Sequence, residues 1–127
     1  MTHAKQTILP FVLLLLLAGG ATALDLPKML GAHPWWSVKV IWIGLIIGLV
    51  GFAVGAGLKL SGRVASGGFT VLAIASYAVA AVGKTRFAAS FAEDAVAGQM
   101  WYFGWIATCA FTAAAVLSLF RYWQQNR

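Results

Sequence analysis

The chain has 127 residues, 61% of them hydrophobic and 9% charged, with a formal net charge of +6. Soluble domains carry about 25% charged residues, so this composition argues against a water-exposed globule. Lys and Arg stand singly between apolar runs, not in the basic patch that nucleic-acid binding uses, so no nucleic-acid partner is expected. The composition predicts an all-α integral membrane protein: a compact bundle of four transmembrane helices, or three if the first segment is a cleaved signal peptide.

Crossing the hydrocarbon as a helix takes about 20 mostly apolar residues. The first run, ILPFVLLLLLAGGATAL from Ile8 to Leu24, is the shortest candidate. Lys5 ahead of it and Ala21-Thr22-Ala23 at its end also fit a secretory signal peptide with its cleavage site. A retained helix is the reading adopted.

The stretch AHPWWSVKVIW, residues 32–42, decides whether the chain is expected to do chemistry. A b-type haem with two axial ligands is held most simply by two histidines at similar depth. The chain offers His3 and His33, which a spanning first segment holds about 25 Å apart. His33 is therefore a cofactor-ligand candidate only together with groups from another chain. Every residue around it fits a helix border instead. Pro34 suits a first helical turn, Trp35 and Trp36 suit headgroup level, and Lys39 can extend back to the interface. No cofactor and no metal site is expected.

The second helix, over about 36–60, carries Gly44, Gly48, Gly51 and Gly55 at spacings of four, three and four, which places them on one face. In lipid such a smooth face permits close backbone approach, so these glycines are the expected helix-packing residues. Ala73, Ala80, Ala110 and Ala114 could nest against them, and whether the stripe faces this chain or a partner stays open. KLSGRVASGG reads as a turn before a third helix over about 67–83. The fourth, over about 91–122, is opened by Ser90 and Glu93 as a capping box, with Asp94 adding charge to its first turn. Trp101, Tyr102 and Trp105 join Trp35, Trp36 and Lys39 as an interface belt at one end, and Tyr122 and Trp123 form its counterpart at the other. Cys109 stands alone, which rules out an intramolecular disulfide, and is expected to pack as a small hydrophobe.

With the N-terminus inside, the cytoplasmic side receives Lys5, Lys59, Arg63, Arg121 and Arg127. The outer side receives Lys28, Lys39, Lys84 and Arg86 with the acids Asp25, Glu93 and Asp94. The count favours N-in and C-in.

HPWWSVKVIWIGLIIGLVGFAVG, followed by Arg63, Tyr77 and the KTR at 84–86, resembles the SirB family of small bacterial membrane proteins. ILPFVLLLLLAGGATA is similar to that family's preceding helix, which typically opens with Pro-His and carries an Asp shortly afterwards. The likeness covers about residues 8–86. Phe11 stands where the histidine would fall and Leu14 where the acid would, the family's first helix is missing, and there is an additional helix at the end. The resemblance implies a small helical protein of the bacterial inner membrane and carries over no site residue.

Two histidines and one cysteine leave no nucleophile, base and orienting group within the chain. No phosphate-binding glycine loop is present, and the apolar cores lack the ionisable residue that a proton-coupled transporter uses. The expectation is no enzyme but a non-catalytic membrane subunit, packing by helix–helix contacts into a larger complex, with lipid and other integral membrane subunits as partners. One alternative is a homo-oligomeric pore or facilitator for a small uncharged solute, lined by Thr108, Thr112 and Ser118 or by Thr70, Ser76 and Tyr77. Another is a redox or pigment-cofactor subunit using His33.

Overall fold

A computed structural model of the chain describes the backbone of residues 3–125 and the side chains of residues 8–125. The side chains of His3, Lys5 and Arg127, named above, lie outside the described residues. Among those described, every regular element is a helix: α1 (His3–Leu24), α2 (Leu26–Met29), α3 (Ser37–Gly57), α4 (Gly62–Ala89) and α5 (Ala95–Gln125). Three of them, α3, α4 and α5, are long and apolar enough to cross a membrane, whereas the apolar part of α1, Ile8–Leu24, is shorter. The expectation of four spans is met by length and composition in three helices only.

Several boundaries differ from the sequence reading, each for a local reason. Expected over about 67–83, α4 begins at Gly62 and continues to Ala89. Ser61 caps it, its Oγ accepting from the Val64 N–H at 3.1 Å. The helix then runs through Gly67 and Gly68, beside which nothing lies within 4 Å. Each glycine costs about 1 kcal/mol in a helix interior, and the continuing main-chain ladder outweighs it. Only the first part of KLSGRVASGG is a turn, with Lys59 in the left-handed region at φ 60°.

The capping box expected at Ser90 and Glu93 does not form, and α5 starts at Ala95 instead of near 91. Ser90 ends α4, its Oγ donating to the Phe87 carbonyl at 2.9 Å and accepting from the Asp94 N–H at 2.9 Å. Asp94 caps α5, its Oδ1 accepting from the Ala97 N–H at 3.0 Å. Between them Phe91 and Ala92 both take positive φ, 57° and 66°, which reverses the chain too tightly for a helix to begin.

The core is organised around α5. On one side α3 runs parallel to it and presses Gly44 and Gly48 onto its backbone. A Cβ on Gly44 would collide with the Cys109 Cβ and come within 2.9 Å of the Ala110 nitrogen. One on Gly48 would collide with the Ala110 carbonyl and meet the Ala113 Cβ at 2.8 Å. On the other side α4 runs antiparallel. A Cβ on Gly104 would sit 2.9 Å from Ala80, one on Gly83 would sit 2.6 Å from the Trp101 nitrogen, and one on Gly62 would sit 2.6 Å from the Tyr122 Cβ. At such contacts the absent side chain is what lets two backbones approach. Against the α3–α5 pair, α1 contributes Leu14 and Ala18, which meet Ile41, Leu45, Ala113 and Leu117.

The glycine stripe therefore divides. Gly44 and Gly48 face α5, while Gly51 and Gly55 see only Leu60 and the Phe69 ring, at 3.7–3.9 Å, across a gap where α3 and α4 diverge. Ala110 nests against the stripe as expected, but Ala80 packs on Gly104 instead.

This division gives a test. Gly48→Ala should destabilise the bundle by about 1–3 kcal/mol through overpacking. Gly51→Ala has room and should be neutral or stabilising by up to about 1 kcal/mol. Thermal unfolding midpoints in detergent micelles compare the two; equal effects would contradict the split stripe.

A candidate functional site at the aromatic end

Chain polarity and contacts sort the aromatic and basic residues into two ends. One holds the α1–α3 connection, the end of α4 and the start of α5. There α2 closes, Ala32 N–H donates back to the Pro27 carbonyl at 2.8 Å, and the chain turns at Gly31 with φ +117°, where a side chain would be strained. His33 follows.

The His33 ring lies among tryptophans. It is edge-on to Trp35 at 5.2 Å and to Trp101 at 5.4 Å, and stacked on Trp36 at 6.0 Å. Its Nδ1 accepts from the Trp35 N–H at 3.1 Å. That bond is a local turn device, and it leaves Nε2 as the nitrogen with which His33 could meet any further group. Trp36 is also edge-on to Trp101 at 5.3 Å and to Tyr102 at 5.2 Å. Such edge-to-face pairs add about 0.5–1.5 kcal/mol each beyond area burial. Trp35 touches this cluster through His33 and is 91% exposed, and Lys39 is exposed on α3. Trp105, expected in the belt, is a core residue at 4% exposure, packed with Ala32, Val40, Ala80 and Ile106.

Two hydrogen bonds tie this connection to the long helices. Trp101 Nε1–H donates to the Gly31 carbonyl at 2.9 Å, and Tyr77 Oη–H donates to the Leu30 carbonyl at 2.9 Å. Neither is visible in the sequence, because the partners lie 70 and 47 residues apart. Lys84 lies beside the same turn, its Nζ 3.5 Å from where a Cβ on Gly31 would be. At the opposite end Arg63 Nη2–H donates to Tyr122 Oη at 3.4 Å, with the guanidinium 6.0 Å from the ring centroid. Trp123 lies one residue further along α5 at this end and is half-exposed.

Two of the hydroxyls named for a pore are bonded within their own helices. Thr108 Oγ1–H donates to the Gly104 carbonyl and Thr70 Oγ1–H to the Ser66 carbonyl, both at 2.7 Å. Ser118 is buried in α5, and its Oγ finds no partner among the described residues. Among those residues no group of three His, Cys, Asp or Glu side chains is placed to hold a metal ion. Two cavities flank the site. One of about 350 Å³ lies between α1, α3 and α5 and is almost wholly apolar, walled by Leu14, Ala18, Leu45, Cys109 and Ala113. The other, of about 460 Å³, borders Lys84.

Comparison with known proteins finds no match: no family model, no curated relative and no solved structure aligns with the chain. The functional reading therefore rests on the geometry of this end and on the surface the bundle exposes.

Trp101→Phe keeps the ring packing and deletes the bond to Gly31, at a cost of about 1 kcal/mol. Hydrogen exchange at residues 30–36 should then quicken about five-fold, with the middle of α5 unaffected. An unchanged rate would show that the connection is held by something other than this bond.

Proposed function

We propose that the chain is a non-catalytic integral membrane protein of the bacterial inner membrane, N-in and C-in, which packs as a subunit into a larger membrane complex. The observation that carries the reading is the uncovered apolar surface of α4. This helix packs on α5 through one narrow line of small residues, and only Ala80 and Gly83 on it are buried. Val64, Val71 and Ile74 are each at least 60% exposed, and Val79 and Val82 nearly half. Ile46 and Val50 on α3 and Leu16 and Leu17 on α1 are exposed as well. A water-soluble monomer rarely exposes contiguous apolar patches beyond a few hundred Å². Lipid acyl chains or other transmembrane helices suit this surface.

Further support comes from the ends. Trp36, Trp101 and Tyr102 gather at one and Tyr122 at the other, as aromatic side chains do at headgroup level. Lys59, Arg63 and Arg121 sit at the second end and Lys28, Lys39, Lys84 and Arg86 at the first. The subunit role is supported by the exposed apolar side chains that remain on α3 and α4, Ile46, Val50, Val71 and Ile74 among them, once the tightest contacts are spent on α5.

Ile74→Lys separates a lipid-facing surface from a water-facing one. Near the middle of α4, a lysine exposed to lipid costs about 3 kcal/mol of insertion free energy. The membrane-inserted fraction should fall sharply, whereas undiminished insertion would overturn the membrane reading. Isolation of the tagged chain in mild detergent tests the subunit role: stoichiometric membrane partners support it, and a lone homo-oligomer contradicts it.

A further inference from the structure

Among the described residues, the cleft beside Lys84 joins a shaped, mostly apolar cavity to a charge that no lining carboxylate answers. Its volume is about 460 Å³, and it lies between the Leu30–Gly31 turn, α4 and α5. Tyr77, Ala80, Ala81, Trp101 and Trp105 supply its apolar walls, and Lys84 is the only charged residue that lines it. No carboxylate lines it. The walls are fixed in place: the bonds from Trp101 to Gly31 and from Tyr77 to Leu30 hold the turn against both helices at 2.9 Å. The alanines on α4 leave the room, since bulkier side chains there would fill it.

Lys84 lies about 7 Å short of the end of α4 at Ala89, within the level of the Trp36–Trp101 cluster. An apolar segment of another protein seated here would cover the ammonium without a counter-charge, which is strongly unfavourable. A small soluble anion would answer the charge but leave the alanine and aromatic walls to water. One occupant satisfies both parts of the cleft. We propose that it seats an anionic phospholipid, the phosphate against Lys84 Nζ and one acyl chain along Ala80 and Ala81 toward Trp105. This inference rests on the membrane reading above and is independent of whether the chain has protein partners.

The test uses the full chain purified in a neutral detergent from alkali-washed membranes and titrated with phosphatidylglycerol, with bound lipid counted by native mass spectrometry. Phosphatidylcholine and inorganic phosphate are the comparison ligands. Lys84→Gln should weaken phosphatidylglycerol retention about five-fold, the scale of one lysine at an anionic surface. Lys84→Arg should retain it, as should Lys39→Gln, which removes the same charge from the same end outside the cleft. Equal retention by Lys84→Gln would overturn the proposal. So would an equal loss in Lys39→Gln, which would mark diffuse surface attraction, or displacement of the lipid by equimolar phosphate, which would mark a site for a free anion. A chain that washes out of the membrane at alkaline pH overturns the membrane reading and this one with it. A chain that stays but binds lipid independently of Lys84 overturns the cleft alone.

Discussion

Everything in this bundle depends on how closely two helices can approach α5. Gly44 and Gly48 bring α3 onto one side of it, and Gly62 and Gly83 of α4, with Gly104 of α5 against Ala80, bring α4 onto another, at each glycine with a spacing that an added Cβ would violate. Between apolar helices in lipid there is little hydrophobic gain to exploit, so the dispersion contacts and close backbone approach that small residues permit become the main source of affinity. With α5 gripped from two directions, α3 and α4 need not pack on each other. They diverge instead, and Phe69, stacked with Phe111 at a ring separation of 6.2 Å, fills part of the gap in front of Gly51 and Gly55.

The same arrangement explains why the two ends differ. At the first, the α1–α3 connection must cross the top of the bundle, and it is fastened by side chains that α4 and α5 present there, Tyr77 and Trp101. Their ring faces then serve as packing surface, which draws His33 and Trp36 into one aromatic cluster. His33 has its Nδ1 bonded to the adjacent backbone and its ring set among indoles. At the second end the helices meet through Gly62 on Tyr122, and Arg63 extends to the phenol oxygen. Among the described residues, charge is confined to those ends, as a protein proposed to sit in a bilayer requires.

Much of the fold was legible because apolar runs of this length have few structural options. The helices and their order follow from the runs at 8–24, 40–58, 68–83 and 100–120, and the closeness of Gly44 and Gly48 to a neighbour follows from their spacing. What could not be read was anything decided by tertiary partners. Gly67 and Gly68 look like a loop in isolation and are helical because Ser61 starts the helix upstream. Ser90 and Glu93 match a capping pattern, yet Ser90 is claimed by the end of α4, and the tight turn at Phe91 and Ala92 passes the capping role to Asp94. Trp105 reads as another interface tryptophan and is core, because Ala80 and Ala32 leave a space of its size. The contacts of Gly83 and Gly104 lack any periodic signal, since each helix supplies only one partner of the pair. The cleft at Lys84 draws on three separate stretches of chain and has no local signature at all.

The most direct check on the whole account is the surroundings of the outward face of α4. Single nitroxide labels at residues 71, 74 and 82, with the chain reconstituted alone in lipid nanodiscs, report collision rates with oxygen, which partitions into hydrocarbon, and with a water-soluble nickel complex. The account predicts high oxygen and low nickel accessibility at all three positions, because lipid covers what α5 does not. High nickel accessibility at any of them would place that face in water and contradict it.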